Sequence, residues 1–320
     1  MNNKSLVVLN ECMFSREQIE FLRKHFFRTE FYNDTYSPAL AAKRIKNHNV
    51  VIMDQFLLTL DESVFKQCRG IELVIVNTTA YDNLDINLLQ KYKVKLSHLK
   101  EYATNDVAEV GFGMMLALNN RIEYAKRIVS EQGVTDLFPG HPAIDRLKRK
   151  SLRGQTVGIV GLGKIGSRFA DMCLTFGIKV IAYSRSSKII KGIKLVSIKK
   201  LFKSSDIFFI SQVYKKPEMD RFISAELLNL AKEKAILISI CHPNLIDFDF
   251  LIKNHRKFSG IGLDYLVTSE VLKLSKVRNE NIIITPHLGS QSEEAIFNMT
   301  DSLISLAVDF ALGKNIYTVV

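Results

Sequence analysis

The sequence has few cysteines, few prolines and no long apolar run, and each shortage argues against a class of protein. The four cysteines, Cys12, Cys68, Cys173 and Cys241, are scattered and form no CxxC pair, which disfavours a disulfide framework or a zinc site. No apolar run approaches the roughly 20 residues that span a bilayer, and the stretch 5–10 is too short for a signal-peptide core. We therefore expect a cytoplasmic protein with no metal site and no membrane association.

The chain is also poor in acidic residues relative to basic ones. Its 320 residues include 44 Lys and Arg against 33 Asp and Glu, which gives a net charge of +11. The densest basic cluster is Arg146-Leu-Lys-Arg-Lys150, and no aromatic residues interleave with it as a nucleic-acid stacking platform would require. We interpret the charge as a lysine-rich surface plus a site for an anionic phosphate, and a nucleic-acid partner is disfavoured.

Apolar runs typical of buried strands alternate with segments of helical spacing along almost the whole chain. This alternation predicts an α/β fold in which parallel sheets are covered by helices on both faces, and the length indicates two domains. The predicted strands are Leu6–Leu9, Val50–Met53, Leu73–Val76, Val94–Ser97, Val157–Val160, Lys179–Ala182, Ile207–Ile210, Ala235–Ile238, Gly260–Leu263 and Ile282–Thr285.

One of these α/β units carries a glycine-rich loop. An apolar strand runs directly into Gly161-Leu-Gly163-Lys164-Ile165-Gly166, and a helical pattern and another strand follow. In this context the first glycine permits a tight turn, the second lets the backbone approach a pyrophosphate, and the third allows close helix packing. The anion then lies on free N–H groups at the helix N-terminus. We predict a dinucleotide site here; the alternative is a glycine-rich turn with no ligand.

The end of the next strand bears on the choice of cofactor. NAD enzymes usually place Asp or Glu about twenty residues downstream of the loop, where it accepts from the ribose hydroxyls. Here the sequence reads Ser184-Arg185-Ser186. An arginine and hydroxyls can bind a 2′-phosphate that a carboxylate would repel. The prediction is NADP(H) in preference to NAD(H), which stays possible; the alternative for Arg185 is stacking on the adenine.

Four segments together resemble the D-isomer-specific 2-hydroxyacid dehydrogenase family, and the resemblance extends along nearly the whole chain. They read LRGQTVGIVGLGKIG over residues 152–166, TAYDNLD over 79–85, YATNDVAE over 102–109 and TPHLG over 285–289. In that order, the four segments are similar to the family's cofactor-domain opening, its substrate loop, the start of its inter-domain helix and the segment that carries its catalytic histidine.

The resemblance implies two flavodoxin- or Rossmann-like domains with parallel sheets and a cleft between them. Residues 1–100 plus 290–320 would form a substrate-binding lid domain, and residues 101–289 a dinucleotide-binding domain. The resemblance also implies a homodimer and a small-molecule substrate.

The resemblance assigns His287 as the acid/base that exchanges a proton with the substrate oxygen. His242 stands where the family has a substrate-binding arginine, and Glu270 comes one residue after the position of the family's carboxylate partner of the histidine. Both are candidate catalytic residues; the alternatives are an inert loop histidine and a solvated surface charge. Asp264 matches the residue that contacts the nicotinamide carboxamide, with a turn cap as the alternative.

The remaining implied contacts fall into two groups. The cofactor-binding residues are Thr104, Gly161, Gly163, Lys164, Ile165, Gly166, Ser184, Arg185, Ser186, Asp264 and Gly289. The substrate-binding residues are Thr78, Thr79, Ala80 and Tyr81, with Ala80 in place of the family's glycine.

We expect an NADP(H)-dependent oxidoreductase that reduces a 2-oxo acid or related carbonyl compound by hydride transfer. Because the arginine is replaced and the carboxylate displaced, the alternative is a catalytically impaired family member that acts as a nucleotide-binding sensor or scaffold.

Overall fold

The chain divides into two compact units. In the computed structural model, which describes residues 3–10, 12–133, 141–142, 144–185, 190–215, 218–265, 269–277 and 281–320, one unit comprises Met1–Ala103 with Ser292–Val320 and the other Thr104–Gln291. The boundaries predicted from the sequence lie within three residues of these divisions.

The first unit contains a five-stranded sheet in which every pair of neighbours is parallel. Its strands are β1 (Ser5–Val8), β2 (Arg28–Phe31), β3 (Val50–Met53), β4 (Leu73–Val76) and β5 (Lys95–His98), in the spatial order β2-β1-β3-β4-β5. Its helices are α1 (Arg16–His25), α2 (Pro38–Ile45), α3 (Glu62–Gln67), α4 (Ile86–Lys91) and a C-terminal helix (Glu293–Ala311).

Alternate residues of these strands enter two separate cores. Val51 and Val74 pack in one apolar cluster, whereas their neighbours Val50 and Leu73 pack in another together with Leu303 of the C-terminal helix. All of them are buried, as expected for strands covered on both faces, whose side chains point alternately to opposite sides. The sheet is therefore the middle layer of three, and the C-terminal helix belongs to one outer layer.

The second unit contains a seven-stranded sheet, also parallel throughout. Its strands are β6 (Thr156–Val160), β7 (Lys179–Tyr183), β8 (Ile193–Leu195), β9 (Ile207–Ile210), β10 (Ile236–Ser239), β11 (Gly260–Asp264) and β12 (Ile282–Thr285), in the order β12-β11-β10-β9-β6-β7-β8. Its helices are α5 (Thr104–Asn119), α6 (Ile122–Gln132), α7 (Ile144–Leu147), α8 (Lys164–Thr175), α9 (Ile198–Ser204), α10 (Ala225–Asn229), α11 (Phe248–Lys253) and α12 (Ser269–Ser275).

The strand order reverses direction at β6, because β7 follows on one side and β9 on the other. Ligands of open α/β sheets bind outside the carboxyl ends of the strands at such a switch point. Helices α5 and α8 cover one face there, where the Phe169 ring stacks on Phe209 with 3.7 Å between centroids. The topology therefore predicts that a ligand binds at the loop after β6.

The predicted fold class is confirmed, and all ten predicted strands are present within one residue of the predicted bounds. Two strands were missed, β2 and β8, and each lies at the edge of its sheet. Only partly buried, they include charged residues such as Arg28 and Lys194, so neither reads as an apolar run. Edge strands have one unpaired side and are often polar.

Candidate active site

The glycine-rich loop lies between β6 and α8 and is held tightly by its neighbours. Gly161 has φ +96°, and its N–H donates to the Tyr183 carbonyl at 2.9 Å. A Cβ on Gly161 would lie 2.7 Å from the Gln212 backbone, and one on Gly166 would collide with the Gly161 carbonyl. The Ser211 hydroxyl donates to that same carbonyl at 2.7 Å. These two positions therefore admit only glycine.

Gly163 differs from its two neighbours because it faces open space. It is the N-cap residue of α8, no side chain caps the helix there, and a Cβ added to it would meet no atom within 4 Å. Free backbone N–H groups at the start of a helix, with room in front of them, suit a pyrophosphate. Lys164 and Ile165 are the first two helical residues, exposed and half-buried respectively. The loop thus fits the diphosphate of a dinucleotide.

Gly163→Val is expected to abolish tight dinucleotide binding without unfolding the protein. The extended backbone at this position (φ −78°, ψ −161°) accepts a β-branched residue, but the isopropyl group would occupy the space in front of the N–H groups. Losing hydrogen bonds to a charged ligand should raise the dissociation constant about tenfold or more. Gly113→Ala, on α5 and also facing open space, is the matched control that should bind normally. Equal affinity in both variants, by fluorescence titration, would contradict the assignment.

The residues predicted to select the cofactor follow β7. Ser184 is half-buried and Arg185 is exposed, directly after Tyr183, whose carbonyl accepts the Gly161 N–H. Ser186 lies outside the described residues. Arg185 thus lies two residues beyond the end of β7, the strand whose last carbonyl contacts the glycine loop.

Asp264, the last residue of β11, ties together the turn that carries His287. The carboxylate is only 4% exposed. Its Oδ1 accepts from the Thr285 hydroxyl at 2.7 Å and from the Leu288 N–H at 2.5 Å, and its Oδ2 accepts from the Gly289 N–H at 2.8 Å. In the structure Asp264 therefore caps this turn, which was the alternative for this residue.

Gly289 is shaped by the same contact. A Cβ on Gly289 would lie 2.9 Å from Asp264 Oδ2 and 3.2 Å from Val107 on α5. The turn therefore packs closely against α5, whose first residue, Thr104, is half-buried. Close packing therefore explains why residue 289 is a glycine, whether or not a cofactor binds beside it.

His287 has a left-handed backbone, with φ +60° and ψ +51°. For a residue other than glycine this conformation costs about 1–2 kcal/mol. The three hydrogen bonds to Asp264 and the bond from the His287 N–H to the Thr285 carbonyl (3.0 Å) offset it. The imidazole is half-buried. Asp264 therefore fixes the residues on both sides of His287, and these contacts keep the histidine in its strained conformation.

His242 follows β10 and lies in an exposed turn. Its Nδ1 accepts from the Asn244 N–H at 3.2 Å, and its ring stacks on the Tyr214 ring with 4.4 Å between centroids. A ring that accepts at Nδ1 is neutral and has one donor, at Nε2. It therefore cannot replace the two-pronged contact of an arginine with a carboxylate.

Glu270 is the second residue of α12, which follows β11. Its role as the partner of His287 stays a prediction. The turns that carry Gly161, His242 and His287 lie at the carboxyl edge of one parallel sheet, after β6, β10 and β12 respectively.

The predicted substrate loop follows β4 in the first unit. The Thr78 hydroxyl donates to the Ala80 carbonyl at 2.7 Å and accepts from Gln55 Nε2 at 3.2 Å. Gln55 Oε1 accepts the Asn83 N–H at 3.2 Å, so one buried amide holds both ends of the loop. Thr79 is exposed and Tyr81 half-buried.

Sequence reasoning missed two neighbours of this loop. Gln55 comes shortly after β3, and His98 is the last residue of β5; these strands flank β4 on its two sides. The His98 ring lies 4.9 Å from the Tyr81 ring between centroids, and burial lowers the pKa of His98, which favours its neutral form. Both residues lie at the carboxyl ends of predicted strands, and this position could have identified them as neighbours of the loop.

The described part of the chain shows neither a metal-binding cluster nor a membrane-spanning helix. It holds no group of three His, Cys, Asp or Glu side chains arranged for a metal ion. None of its helices is long and apolar enough to cross a membrane. The four cysteines are all buried, and none of them forms a disulfide.

The doubly wound sheet and the loop at its switch point define a dinucleotide-binding α/β protein. Residues 112–289 match the family described as D-isomer specific 2-hydroxyacid dehydrogenase, NAD binding domain, and the chain belongs to this family. It is accordingly an oxidoreductase of the 2-hydroxyacid dehydrogenase type that uses a nicotinamide cofactor.

Known proteins resemble the chain over nearly its full length. The glyoxylate reductase of Thermococcus litoralis is 27% identical over 300 residues, covering 90% of this chain and 89% of that protein. Two solved structures share the fold. An acyclic imino acid reductase in complex with NADPH and D-Arg has a TM-score of 0.85 at 24% identity, covering 98% of this chain and 100% of the other. The D-lactate dehydrogenase of Aquifex aeolicus, complexed with NAD and lactic acid, has a TM-score of 0.81 at 22% identity. The match covers 97% of this chain and 96% of the other.

Proposed function

We propose that the protein is an NADP(H)-dependent reductase of a 2-oxo acid or related carbonyl compound, with His287 as the acid/base. The observation that carries this proposal is the turn in which Asp264 holds His287 in a strained, half-buried position. A relative named glyoxylate reductase supports the same class of substrate.

The bound nicotinamide ring would supply the hydride for reduction. His287 would donate a proton to the carbonyl oxygen as negative charge develops there, and accept it back in the reverse reaction. Backbone N–H groups of the loop Thr78–Tyr81 would bind the substrate's carboxylate, and Gln55 keeps that loop in shape.

His242 would give the substrate one hydrogen bond from Nε2. An arginine at this position would offer a charge and two parallel bonds, so a small 2-oxo acid is bound more weakly by the histidine. We therefore include larger carbonyl compounds in the proposed substrate class. Glu270 or a water molecule would be the partner of His287.

The test of this proposal is NADPH oxidation with glyoxylate, hydroxypyruvate, phenylpyruvate and bulkier carbonyl compounds. We expect saturable turnover with at least one of them. Saturable NADPH binding without turnover of any would instead support the second candidate, a nucleotide-binding sensor. The replacement of the family's arginine by His242 favours this second candidate.

Arg185→Ala is expected to remove the preference for NADPH. The guanidinium would contact the 2′-phosphate, and the sequence from Ser184 to Lys188 holds no carboxylate that could bind the ribose of NAD. Losing one charged contact should lower kcat/KM for NADPH about tenfold and leave that for NADH nearly unchanged. Lys179→Ala, at the opposite end of the same strand, is the control. A variant that loses both activities equally would show that Arg185 does not discriminate.

We also propose a homodimer, which the resemblance to the family implies. Light scattering of the purified chain should give twice the mass of 36.4 kDa. A monomeric mass at micromolar concentration would refute it.

A further inference from the structure

A cavity of about 440 Å³ opens at the amino edge of the seven-stranded sheet, and the proposed function makes no use of it. Its lining includes residues at or just before the amino ends of four strands: Gln155, Asp206, Ala235, Ile236 and Ser259. The glycine loop and Asp264 lie at the carboxyl ends of two of these strands, and a five-residue strand is about 15 Å long. The cavity is thus separate from the predicted dinucleotide site.

The walls of the cavity are strongly basic. Its cationic residues are Arg121, Lys148, Arg149, Lys150, Lys232 and Lys234, and its acidic residues are Asp206 and Glu233. The last three residues of the sequence cluster that ends at Lys150 therefore line this cavity, which is open to solvent on one side.

Both carboxylates are already engaged. Asp206 Oδ1 pairs with Lys232 Nζ at 2.9 Å, and its Oδ2 accepts the Thr156 N–H at 2.9 Å. Burial alone would raise the pKa of Asp206, but these hydrogen bonds and the nearby positive charges outweigh it and lower the pKa. Glu233 pairs with Lys257 at 2.9 Å. The charge of the remaining cations is therefore not neutralised by the lining itself.

Three of the cations stand apart from these pairs. No ion pair with a described residue involves Arg121, Arg149 or Lys234. Arg149 and Lys234 are exposed and Arg121 is half-buried, and all three line the same cavity. Like charges brought together repel one another, and an anion that binds between them relieves this repulsion.

The basic wall is fixed to the fold. The Lys150 carbonyl accepts from Asn119 Nδ2 at 3.1 Å and from Gln155 Nε2 at 3.4 Å. Arg121 and Lys234 have left-handed backbones, with φ of 54° and 64°, at positions where glycine would cost less. The cations are therefore presented from tight, anchored turns.

We propose that this cavity binds a small molecule that carries two or three phosphate groups. The volume suits a small ligand, and arginine and lysine are the side chains that bind phosphate oxygens best. None of the described residues that line the cavity is aromatic, so they offer no platform on which nucleic-acid bases could stack. The chemistry of the lining favours a compact polyphosphate.

The test is calorimetric titration of the full chain with inorganic tripolyphosphate, in saturating NADPH so that the glycine loop does not take up the probe. We expect one saturable site that weakens as salt increases. Arg121→Asn with Arg149→Gln should weaken binding about tenfold or more, and asparagine tolerates the left-handed backbone. Lys203→Gln with Lys253→Gln, two exposed cations that do not line the cavity, should change it less than about twofold.

Absence of saturable binding, or equal weakening by the two pairs, would overturn the proposal. A short single-stranded oligonucleotide is titrated in parallel, and tighter binding of it through the same residues would also overturn it in favour of nucleic acid. Thermal unfolding without probe establishes that both pairs are folded. If the chain binds no dinucleotide, the two pairs are compared without NADPH, because neither pair alters the glycine loop and any uptake there is the same in both. Failure of the proposed function therefore leaves this test intact.

Discussion

His287→Asn is expected to lower kcat/KM for carbonyl reduction by about 10²- to 10⁴-fold, the usual contribution of a positioned acid/base. Asparagine is the replacement of choice because it tolerates the left-handed backbone that this position requires. The loss is therefore chemical, with little added strain.

Three measurements separate this result from a general defect. Dinucleotide affinity and thermal stability should match those of the parent chain, because the imidazole does not hold the turn together. The pH profile of kcat/KM should lose the limb that reports the acid/base. His255→Asn, a histidine in the same unit but outside this turn, should leave turnover intact. Full activity of His287→Asn would remove this residue from the mechanism.

Asp264→Ala is expected to have the second largest effect, through the position of His287. The change leaves the N–H groups of Leu288 and Gly289 without their acceptor. The Gly289 group is buried, and an unpaired buried donor costs about 1–3 kcal/mol. We expect a lower free energy of unfolding together with a large fall in kcat. Asp247→Ala, which removes the cap of α11 in the same unit, is the control that should cost about 1 kcal/mol of stability and no activity.

The kinetic pattern distinguishes a positioning role from a contact with the cofactor. If Asp264 acts by holding the turn, kcat falls more than KM for the dinucleotide rises, and the variant adds little further loss of kcat to His287→Asn. If it binds the nicotinamide carboxamide, the main change is in KM for the dinucleotide, and the two losses are additive. Asp264 caps the turn in the structure, so we predict the first pattern.

Much of the fold could be predicted because its buried strands are short apolar runs set apart by helices. Runs such as Val50–Met53 and Ile207–Ile210 are buried on both faces, and this leaves a clear pattern in the sequence. The edge strands β2 and β8 are half-exposed and carry charges, so their pairing depends on a neighbour already in place. The local sequence of an edge strand therefore does not show that it will pair with a neighbouring strand.

The same limit applies to the candidate site. The glycine loop could be located because its three glycines are close together in the sequence. For Asp264 the sequence offered a turn cap as an alternative but not its donors, because these lie 21 to 25 residues away and meet the carboxylate only when β11 and β12 pair. The contact between Gln55 and Thr78 spans 23 residues for a similar reason. From the sequence, the basic cluster that ends at Lys150 was interpreted as solvated surface. In the structure it lines a cavity together with residues at the amino ends of four strands, and no sequence pattern indicates that these residues are close together.

The most direct test of the account is a single-turnover comparison of the parent chain with His287→Asn, both preloaded with NADPH and mixed with the best carbonyl substrate from the panel. The account predicts that both bind NADPH with the same affinity and that the variant oxidises it at least about 100-fold more slowly. Equal rates of NADPH oxidation in the two proteins would contradict it.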